Sequence, residues 1–368
     1  MIEIKQLNKK QLLEYVNSDD FRTGTDIPIT FHRALSQTKN PRMKEEDVIL
    51  LLAFNEEILV GYLGILPDTI FPENKEPVRI GWLSCLWVSP KARGKGISIK
   101  LISKSLKLWN NHILSADYVP STKIIYDSTN QFIDKPYSKK GIRLYIKSDF
   151  YNLLPQKKTI YFNLKWLFKA IDFFVNLLLT IRLIFYKEEV SHLLFEYVDH
   201  IDEEVNNFIV TKQKKELFKR NKEEFNWIIQ NPWILSAKEK DSLNKKYYFS
   251  STTKSFNFYS IKVRNSENKL IAFLIYSKRN NTLKLPYLYH DNCIDAVIKT
   301  LTYHLIKWKI KTFTTYNSEL AQSLMNKKMP IIFRKEIVRN YMISSIFKEE
   351  IFNSDIEIQD GDGDCSFT

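Results

Sequence analysis

The stretch Val88-Ser89-Pro90-Lys91-Ala92-Arg93-Gly94-Lys95-Gly96-Ile97-Ser98 decides the fold of the first part of this chain. The residues before it, 78–88, are mostly apolar and β-prone, whereas apolar residues over 97–109 recur at helical spacing. A strand is therefore predicted to run directly into a helix. Gly94 and Gly96 allow the backbone to turn sharply and to approach a ligand, so N–H groups at the helix N-terminus can face a phosphate.

The distribution of glycine supports an anion-binding loop here. The chain has only nine glycines, and none of them lies between positions 142 and 360. Two glycines one residue apart therefore suggest a specific backbone requirement, although an ordinary basic turn remains the alternative. Arg93 and Lys95 add positive charge. The candidate phosphate-binding residues are Arg93, Gly94, Lys95, Gly96, Ile97 and Ser98.

Length and charge limit the possible functions. A chain of 368 residues favours about two domains, and 44% hydrophobic with 26% charged residues is a globular balance. The net charge of +13 suits nucleic acid, an anionic membrane surface or phosphorylated ligands. The basic residues are spread along the chain without an arginine-rich arm or zinc-finger spacing, which disfavours sequence-specific nucleic-acid binding.

Cysteine and histidine give no sign of a metal centre. The three cysteines, Cys85, Cys293 and Cys365, are odd in number and lack metal-ligand spacing, and the six histidines form no such spacing either. We therefore expect no metal. The N-terminus lacks the apolar core of a signal peptide, so we expect a reducing, cytoplasmic setting. Cys85 lies inside an apolar strand pattern, which favours a structural role over a nucleophile.

The first lobe has a readable order of elements. Strands are predicted at 2–5, 48–54, 58–66, 77–88, 123–127 and 142–150, and helices at 9–17, 28–37, 97–111 and from Thr129 onward. Asn130 then follows the fifth predicted strand, and Tyr137 stands four residues before Gly141.

This order, with the loop Arg-x-x-Gly-x-Ser after the fourth strand, resembles the Gcn5-related N-acetyltransferases (GNAT). Their usual loop is Gln or Arg, two residues, Gly, one residue, then Gly or Ala; Arg93 and Gly96 fit it, and Ser98 departs from it while remaining small. The family often reads Tyr-x-x-x-Gly-Phe further on, and this chain has Tyr137 and Gly141 followed by Ile142. The resemblance covers about residues 1–150.

The resemblance implies a site for acetyl-CoA or another acyl-CoA. The pyrophosphate would lie over the loop at 93–98, and the pantetheine arm would pair with the backbone of Leu86, Trp87 and Val88. Val88 N–H would bind the thioester carbonyl, and Asn130 would add a cofactor contact. Tyr137 matches the family's proton donor, with packing as the alternative, since a phenol stays protonated at neutral pH.

A second lobe repeats the same coarse order of elements. Its equivalent of the phosphate loop is Tyr289-His290-Asp291-Asn292-Cys293, which lacks glycine and carries an acidic residue, so this copy is expected not to bind the cofactor. The predicted fold class is α/β (α+β), with two GNAT-like lobes that each have a mixed, mostly antiparallel twisted sheet flanked by helices. Such tandem arrangements look similar to mycothiol synthase and the Fem-type aminoacyl transferases. The predicted domains are 1–152, 153–190, 191–350 and 351–368.

The predicted linker, 153–190, is apolar and helical. Asp172 and Arg182 interrupt the run at 164–186, which argues against a membrane span. We favour a helix packed between the lobes, and peripheral membrane contact through an interfacial helix is the alternative. The C-terminal segment alternates Asp and Gly but lacks the further ligands of a calcium loop, so we expect an acidic flexible tail.

The sequence therefore predicts an acyl-CoA-dependent N-acyltransferase, acetyl transfer being favoured. The acceptor would be a small-molecule or peptide amine, for example an amino sugar on a nucleotide or lipid carrier. A Fem-like aminoacyl transferase and a non-catalytic CoA-binding or scaffold protein are the alternatives. No general base is assigned, and the weak candidates are His32, Asp26, Arg79 and Ser84.

Overall fold

The structure, a computed structural model, describes residues 2–133, 137–155, 158–186, 190–237, 246–347 and 356–367. The helices and strands are, in chain order, β1 (Ile2–Leu7), α1 (Lys9–Asn17), α2 (Asp19–Thr23), α3 (Phe31–Thr38), β2 (Leu50–Asn55), β3 (Ile58–Ile70), β4 (Val78–Val88), α4 (Ile97–Leu108), β5 (Ile113–Ala116), α5 (Pro120–Ser128), β6 (Tyr137–Tyr145), α6 (Phe150–Leu153), α7 (Lys165–Phe185), β7 (Leu194–Val198), α8 (Glu203–Lys212), α9 (Lys222–Gln230), β8 (Leu235–Ser236), β9 (Thr252–Thr253), β10 (Phe256–Arg264), β11 (Leu270–Arg279), β12 (Thr282–His290), α10 (Ile294–Lys307), β13 (Thr312–Thr315), α11 (Ser318–Asn326) and β14 (Phe333–Ile343).

The chain forms two compact units, and neither is continuous in sequence. The first comprises Met1–Ser138, Asp199–Phe256 and Arg339–Thr368, and the second comprises Lys139–Val198 and Asn257–Val338. The predicted domains were 1–152, 153–190, 191–350 and 351–368. Residues from the first, third and fourth of these ranges lie in the first unit, and residues from the first, second and third lie in the second unit. The same order of six strands nevertheless occurs in both units.

The sheet of the first unit has the order β1-β2-β3-β4-β5-β14. Neighbouring strands are antiparallel except β4 and β5, which are parallel and connected through α4. Helix α4 packs on the sheet because its apolar side chains recur every three to four residues; Ile97, Leu101, Ile102 and Leu106 are buried against β2, β3 and β4. Helix α4 therefore packs against the strand that ends in the glycine loop.

The sheet of the second unit repeats this order as β7-β10-β11-β12-β13-β6. Its sixth strand, β6, comes from the first half of the sequence, whereas the sixth strand of the first unit, β14, comes from near the C-terminus. The two units have therefore exchanged their last strands. Gly141 belongs to the second unit, where a Cβ would lie 2.4 Å from the carbonyl oxygen of Thr315, so this glycine allows β6 to lie close to β13.

The predicted strand at 123–127 is wrong. The fifth strand is β5, and residues 120–128 form helix α5. Pro120 at the first helical turn sets a helical φ, Lys123 and Asp127 form an i,i+4 ion pair at 2.7 Å, and Tyr126 is buried. The strand was predicted because Ile124 and Ile125 are β-branched, but two adjacent residues are too few to define a strand.

Residues 356–367, expected to form part of a flexible acidic tail, are instead buried in the first unit. Ile358, Asp362 and Phe367 are each about 1% exposed. The Phe367 ring stacks on Trp233 with 4.4 Å between centroids, and Gly363 (φ 71°) passes over Trp82, where a Cβ would lie 2.9 Å from the ring. Aromatic packing holds the segment, and its buried aspartates have partners, since Asp362 accepts from Arg220 at 3.2 Å and Asp364 from Ser84 at 2.5 Å.

Helix α7 belongs to the second unit. It buries Phe168, Leu179 and Leu183, while several of its large apolar side chains face solvent. Within the described ranges, no helix combines the length and the hydropathy that crossing a bilayer requires.

Candidate active site

Strand β4 carries a β-bulge at Cys85, three residues before the strand ends at Val88. Tyr62 pairs with Trp87 and Gly64 with Ser84, so β4 has one residue more than β3 between these pairs. The extra residue is accommodated at Cys85, whose φ is +57°, a value unusual for any residue other than glycine. The bulge bends the strand at Cys85 and so changes the orientation of the backbone N–H and C=O groups at 86–88.

Strand β5 pairs with β4 only before the bulge and ends at Ala116. Their parallel register covers only Gly81–Leu83 against Ile113–Ser115, although β4 continues to Val88. Ser89 N–H donates to Val60 O at 2.9 Å, which makes Gly61 and Val88 a non-hydrogen-bonded pair. The N–H and C=O of Val88 therefore point away from β3, toward the opposite edge of β4, where β5 no longer pairs with it.

The glycine loop connects β4 to α4 through a short 3₁₀ turn at Pro90–Ala92. Gly94 has a φ of 80° and Gly96 a φ of 69°, and a Cβ at either position would meet no atom within 4 Å. Gly96 is the N-cap of α4, and no side chain caps this helix or adds a carboxylate to its first turn. The helix N-terminus thus faces open space with its N–H groups and its positive dipole, as an anion site requires.

The predicted loop residues are brought together, but they do not all have the same environment. The side chains of Arg93 and Lys95 are exposed, Ser98 is half-buried, and Ile97 is buried against Gly61. Arg93 and Lys95 can therefore contribute charge, whereas Ile97 can contribute only backbone to a ligand.

Asn130 does not follow the fifth strand. It lies just after α5, is exposed, and has a φ of +53°. Asn130 was assigned to the cofactor because it followed the predicted strand at 123–127, and that strand is a helix.

Tyr137 is the first residue of β6 and is half-buried. Its hydroxyl donates to Ile356 O at 3.2 Å, and its ring packs 5.9 Å from that of Tyr341. Burial, with a smaller contribution from the charge of Glu357, raises the pKa of Tyr137. The phenol is protonated at neutral pH, as a proton donor must be.

A polar cluster that sequence reasoning missed is centred on Arg33 of α3. This guanidinium is buried and donates to Cys85 Sγ at 2.7 Å, Tyr247 Oη at 2.6 Å and Ser84 Oγ at 3.0 Å. It also lies 3.9 Å from the ring centroid of Trp233. The buried residues of α3 are Arg33, Ala34, Ser36 and Gln37, so polar side chains predominate there, and nothing in the local sequence pattern marks this side of the helix as buried.

The C-terminal segment joins this cluster. Ser84 Oγ donates to Asp364 Oδ2 at 2.5 Å. Burial raises the pKa of Asp364, opposed by the Ser84 hydrogen bond and by the charge of Arg33. Cys85, predicted to be structural, is half-buried and its sulfur belongs to this hydrogen-bonded group.

A second buried network fixes the other end of β3 and β4. Asp68 accepts from Arg42, from Arg220 at 2.8 Å and from Trp82 Nε1 at 3.1 Å. Arg220 also donates to Asp362 at 3.2 Å. Burial raises the pKa of Asp68, but the charges of Arg220 and Arg42 outweigh it, so the pKa lies below its ordinary value. This network is structural and attaches the C-terminal segment to β3.

The weak general-base candidates have different surroundings. His32 Nε2 lies 2.8 Å from Trp233 O, and Ser84 belongs to the Arg33 cluster. Arg79 forms an ion pair with Asp47 at 2.5 Å, and Asp26 is exposed. The structure therefore brings only Ser84 of these residues to the bulge.

The corresponding junction in the second unit differs. Helix α10 has Cys293 as its N-cap and Asp295 in its first turn, and Asp291 pairs with Lys269 at 3.4 Å. Carboxylates at this helix N-terminus oppose a phosphate. Elsewhere, no group of three or more His, Cys, Asp or Glu side chains in the described part of the chain is placed to hold a metal ion.

Comparison with known proteins agrees with this geometry. Residues 12–116 match the acetyltransferase (GNAT) family model. A GCN5-related N-acetyltransferase from Anabaena variabilis ATCC 29413 has a TM-score of 0.51 and 12% identity, over 93% of this chain and 72% of its own. A GCN5-related N-acetyltransferase from Kribbella flavida has a TM-score of 0.51 and 11% identity, over 93% of this chain and 71% of its own.

A conserved protein from Enterococcus faecalis V583, described as a probable N-acyltransferase, has a TM-score of 0.50 and 11% identity, over 93% of this chain and 72% of its own. Identities this low establish the fold alone, and no curated protein matches the chain significantly in sequence. Residues 12–116 are therefore similar to the GNAT acetyltransferase family, and the chain has the fold of the GNAT structures that it matches.

Proposed function

We propose that this enzyme transfers an acetyl group directly from acetyl-CoA to an amine, using the cleft edge of β4 and the loop that follows it. Two features together carry the proposal: β5 leaves the edge of β4 unpaired at 86–88, and the N-cap of α4, Gly96, opens the helix eight residues after Val88. The first feature suits an extended amide-containing arm, and the second suits a pyrophosphate.

The loop would bind the pyrophosphate mainly through its backbone. Both positive-φ glycines leave open space where a Cβ would stand, so phosphate oxygens can approach the N–H groups at 96–98. Arg93 and Lys95 are exposed and would add long-range attraction. No single side chain would then be essential for binding.

The backbone of Leu86, Trp87 and Val88 would bind the pantetheine arm as an additional strand would. Val88 N–H, which points away from β3, would donate to the thioester carbonyl. A donor fixed in a sheet needs no reorganisation as negative charge develops on that oxygen, so it would stabilise the tetrahedral intermediate.

Transfer would then proceed by direct attack of a neutral amine on the thioester carbonyl carbon. The C–N bond forms, the C–S bond breaks, the amine loses its proton to a base or water, and the thiolate takes a proton. We assign that last proton to Tyr137, whose raised pKa keeps it protonated. Acceptors compatible with this chemistry are small-molecule or peptide amines, including an amino sugar on a nucleotide or lipid carrier.

Calorimetric titration with acetyl-CoA tests the binding part of this proposal. We expect saturable binding that weakens strongly in the double variant Arg93→Glu and Lys95→Glu. Lys10→Glu with Arg22→Glu, which changes the same charge at exposed positions on α1 and α2, should leave binding unchanged. No heat of binding at about millimolar acetyl-CoA would exclude the proposal.

Release of thiol from acetyl-CoA across a panel of amino sugars and peptide amines tests catalysis. Binding without release in any mixture would favour a non-catalytic CoA-binding protein. Transfer that requires charged transfer RNA in place of acetyl-CoA would favour the Fem-like alternative. Mass spectrometry of the acceptor mixture would identify the acetylated amine.

A further inference from the structure

Helix α7 has its polar and apolar faces reversed relative to a helix on an ordinary protein surface. Its polar residues Asp172, Asn176 and Thr180 recur every four positions and face the second unit. The solvent face is formed by large apolar side chains: Trp166 is 71% exposed, Phe173, Phe174 and Leu178 are each 64%, Leu177 is 48%, Ile181 is 44% and Phe185 is 82%. We call these seven residues the apolar face of α7.

The orientation of α7 is fixed by specific hydrogen bonds. Asp172 accepts from the hydroxyl of Ser148 and, at 2.9 Å, from each of the backbone N–H groups of Phe150 and Tyr151. Asn176 accepts from Ser148 N–H at 2.8 Å and donates to Ser148 O at 2.9 Å. Rotating the helix to hide its apolar face would break these bonds and bury unpaired polar groups, which is costly.

The apolar face extends into the segment before the helix. Ile160 is 67% exposed and Phe162 is 59% exposed, and Lys165 Nζ lies 4.0 Å from the centroid of the Phe162 ring. Monomeric soluble proteins rarely expose so many contiguous aromatic and aliphatic side chains, so a partner surface is expected.

Charge identifies the chemistry of that partner. With about 3.6 residues per turn, Lys169 and Arg182 lie on opposite flanks of the apolar face, and both are exposed. The one carboxylate of the helix, Asp172, is buried and hydrogen-bonded. A central apolar stripe of aromatic and leucine side chains between basic flanks is the pattern of a helix that lies in a membrane interface.

A further basic group lies beside the C-terminal half of α7. Lys147 Nζ is 3.4 Å from Thr180 Oγ1, and its backbone N–H donates to Lys311 O at 3.2 Å. Burial, together with the charges of Lys309 and Lys311, lowers the pKa of Lys147. Lys311 forms an ion pair with Asp149 at 2.7 Å, so the net positive charge beside this half of α7 comes from Lys147 and Lys309.

We propose that the apolar face of α7 docks this enzyme on an anionic phospholipid surface, with α7 lying parallel to the bilayer plane. Lys169 and Arg182 would contact headgroup phosphates, while Phe173, Phe174 and Leu177 would enter the acyl boundary. This docking is independent of acetyl-CoA binding, and each can be tested without the other.

Co-sedimentation of the full chain with vesicles of phosphatidylcholine, with and without phosphatidylglycerol, tests the proposal. We expect strong binding only when phosphatidylglycerol is present, weakening as salt is raised. Phe173→Ser with Phe174→Ser should lower the partition coefficient at least about tenfold. The matched control, Ile58→Ser with Ile124→Ser, removes apolar side chains that are 65% and 71% exposed elsewhere and should bind like the wild type.

The charge requirement has its own variant pair. Lys169→Gln with Arg182→Gln should weaken binding to phosphatidylglycerol vesicles about twentyfold, because each basic residue near the surface contributes about fivefold. Lys10→Gln with Arg22→Gln should change binding little. Thermal unfolding and acetyl-CoA binding are measured on every variant, so that a folding defect or loss of the cofactor site is recognised.

Trp166 supplies a direct readout of insertion. Trp166 is highly exposed, whereas Trp82, Trp87, Trp109, Trp227 and Trp233 are buried. Brominated lipids should quench wild-type fluorescence, and Trp166→Phe should remove most of that quenching. Equal partitioning of wild type and the Phe173, Phe174 variant would overturn the proposal. The proposal would also be overturned if the wild type formed a dimer that binds no vesicles and the Phe173, Phe174 variant were monomeric. A second copy of the chain would then cover the apolar face of α7.

Discussion

Ser84 Oγ and Asp364 Oδ2 lie 2.5 Å apart although 280 positions separate the two residues. The bond joins the C-terminal segment to β4 one residue before the bulge at Cys85. Arg33 donates to the same serine hydroxyl. The geometry of the proposed acyl-CoA edge therefore depends on the last residues of the chain as well as on the first lobe.

The aromatic contact of Phe367 should be one of the larger contributions to the stability of the first unit. Phe367→Ala removes a ring that is 1% exposed and stacked on Trp233, so we expect a loss of about 3–5 kcal/mol in the free energy of unfolding. Urea unfolding followed by tryptophan fluorescence measures it. Phe185→Ala, which removes a ring that is 82% exposed, serves as the control and should unfold like the wild type in the absence of lipid.

Asp362 should make the stability of the protein depend on pH. Burial, opposed by the charge of Arg220, raises the pKa of Asp362 to about 6. Folding therefore favours the protonated carboxyl, and this stabilisation is complete below about pH 4 and is lost as the pH rises through about 6, by at most about 3 kcal/mol. Relative to wild type, Asp362→Asn should become progressively more stable across this range in urea unfolding.

A substitution that changes no titratable group provides the control for that measurement. Asn17→Gln, at an exposed position of α1, should retain the wild-type slope of unfolding free energy against pH between about 4 and 6. An Asp362→Asn variant with that same slope would show that another group titrates.

Local chemistry explains which parts of the site could be predicted from the sequence. The loop at 93–98 was recognisable because glycine spacing, charge and the change from strand to helix period all lie within residues 78–109. The structure confirms this loop as an open helix N-terminus. The order of elements in the two lobes followed from the same local patterns, and the GNAT-like fold class from the family resemblance of the loop.

Long-range pairing explains what could not be predicted. Nothing near Tyr341 indicates that it pairs with Ala116, and nothing near Tyr137 indicates that its strand continues into the second unit. The strand exchange is therefore invisible to periodicity. The burial of Asp362 was equally hidden, because Asp-Gly repeats are typical of solvated turns and only the distant Arg220 reverses that preference.

The glycine at the N-cap of α4 should be replaceable only by a residue that tolerates a left-handed backbone. Gly96 has a φ of 69° and open space around its missing Cβ. Gly96→Val should weaken acetyl-CoA binding about tenfold or more, because a β-branched residue disfavours this conformation by at least about 1–2 kcal/mol and would shift the N–H groups. Gly96→Asn should bind nearly normally, since asparagine tolerates positive φ. Equal affinities in calorimetry would show that the loop backbone does not bind the phosphates.

Tyr137 should affect the rate of acetyl transfer rather than cofactor affinity. Tyr137→Phe removes the proposed proton donor, so we expect kcat to fall about a hundredfold while the dissociation constant for acetyl-CoA stays within about twofold. Because burial raises the pKa of Tyr137, wild-type kcat should not decline on the alkaline side below about pH 10 through this group. Tyr118→Phe is the matched control, since Tyr118 is also partly buried with a raised pKa and packs its ring against Tyr126. If thiol release proceeds equally fast in the wild type and Tyr137→Phe, the leaving thiolate takes its proton from another group.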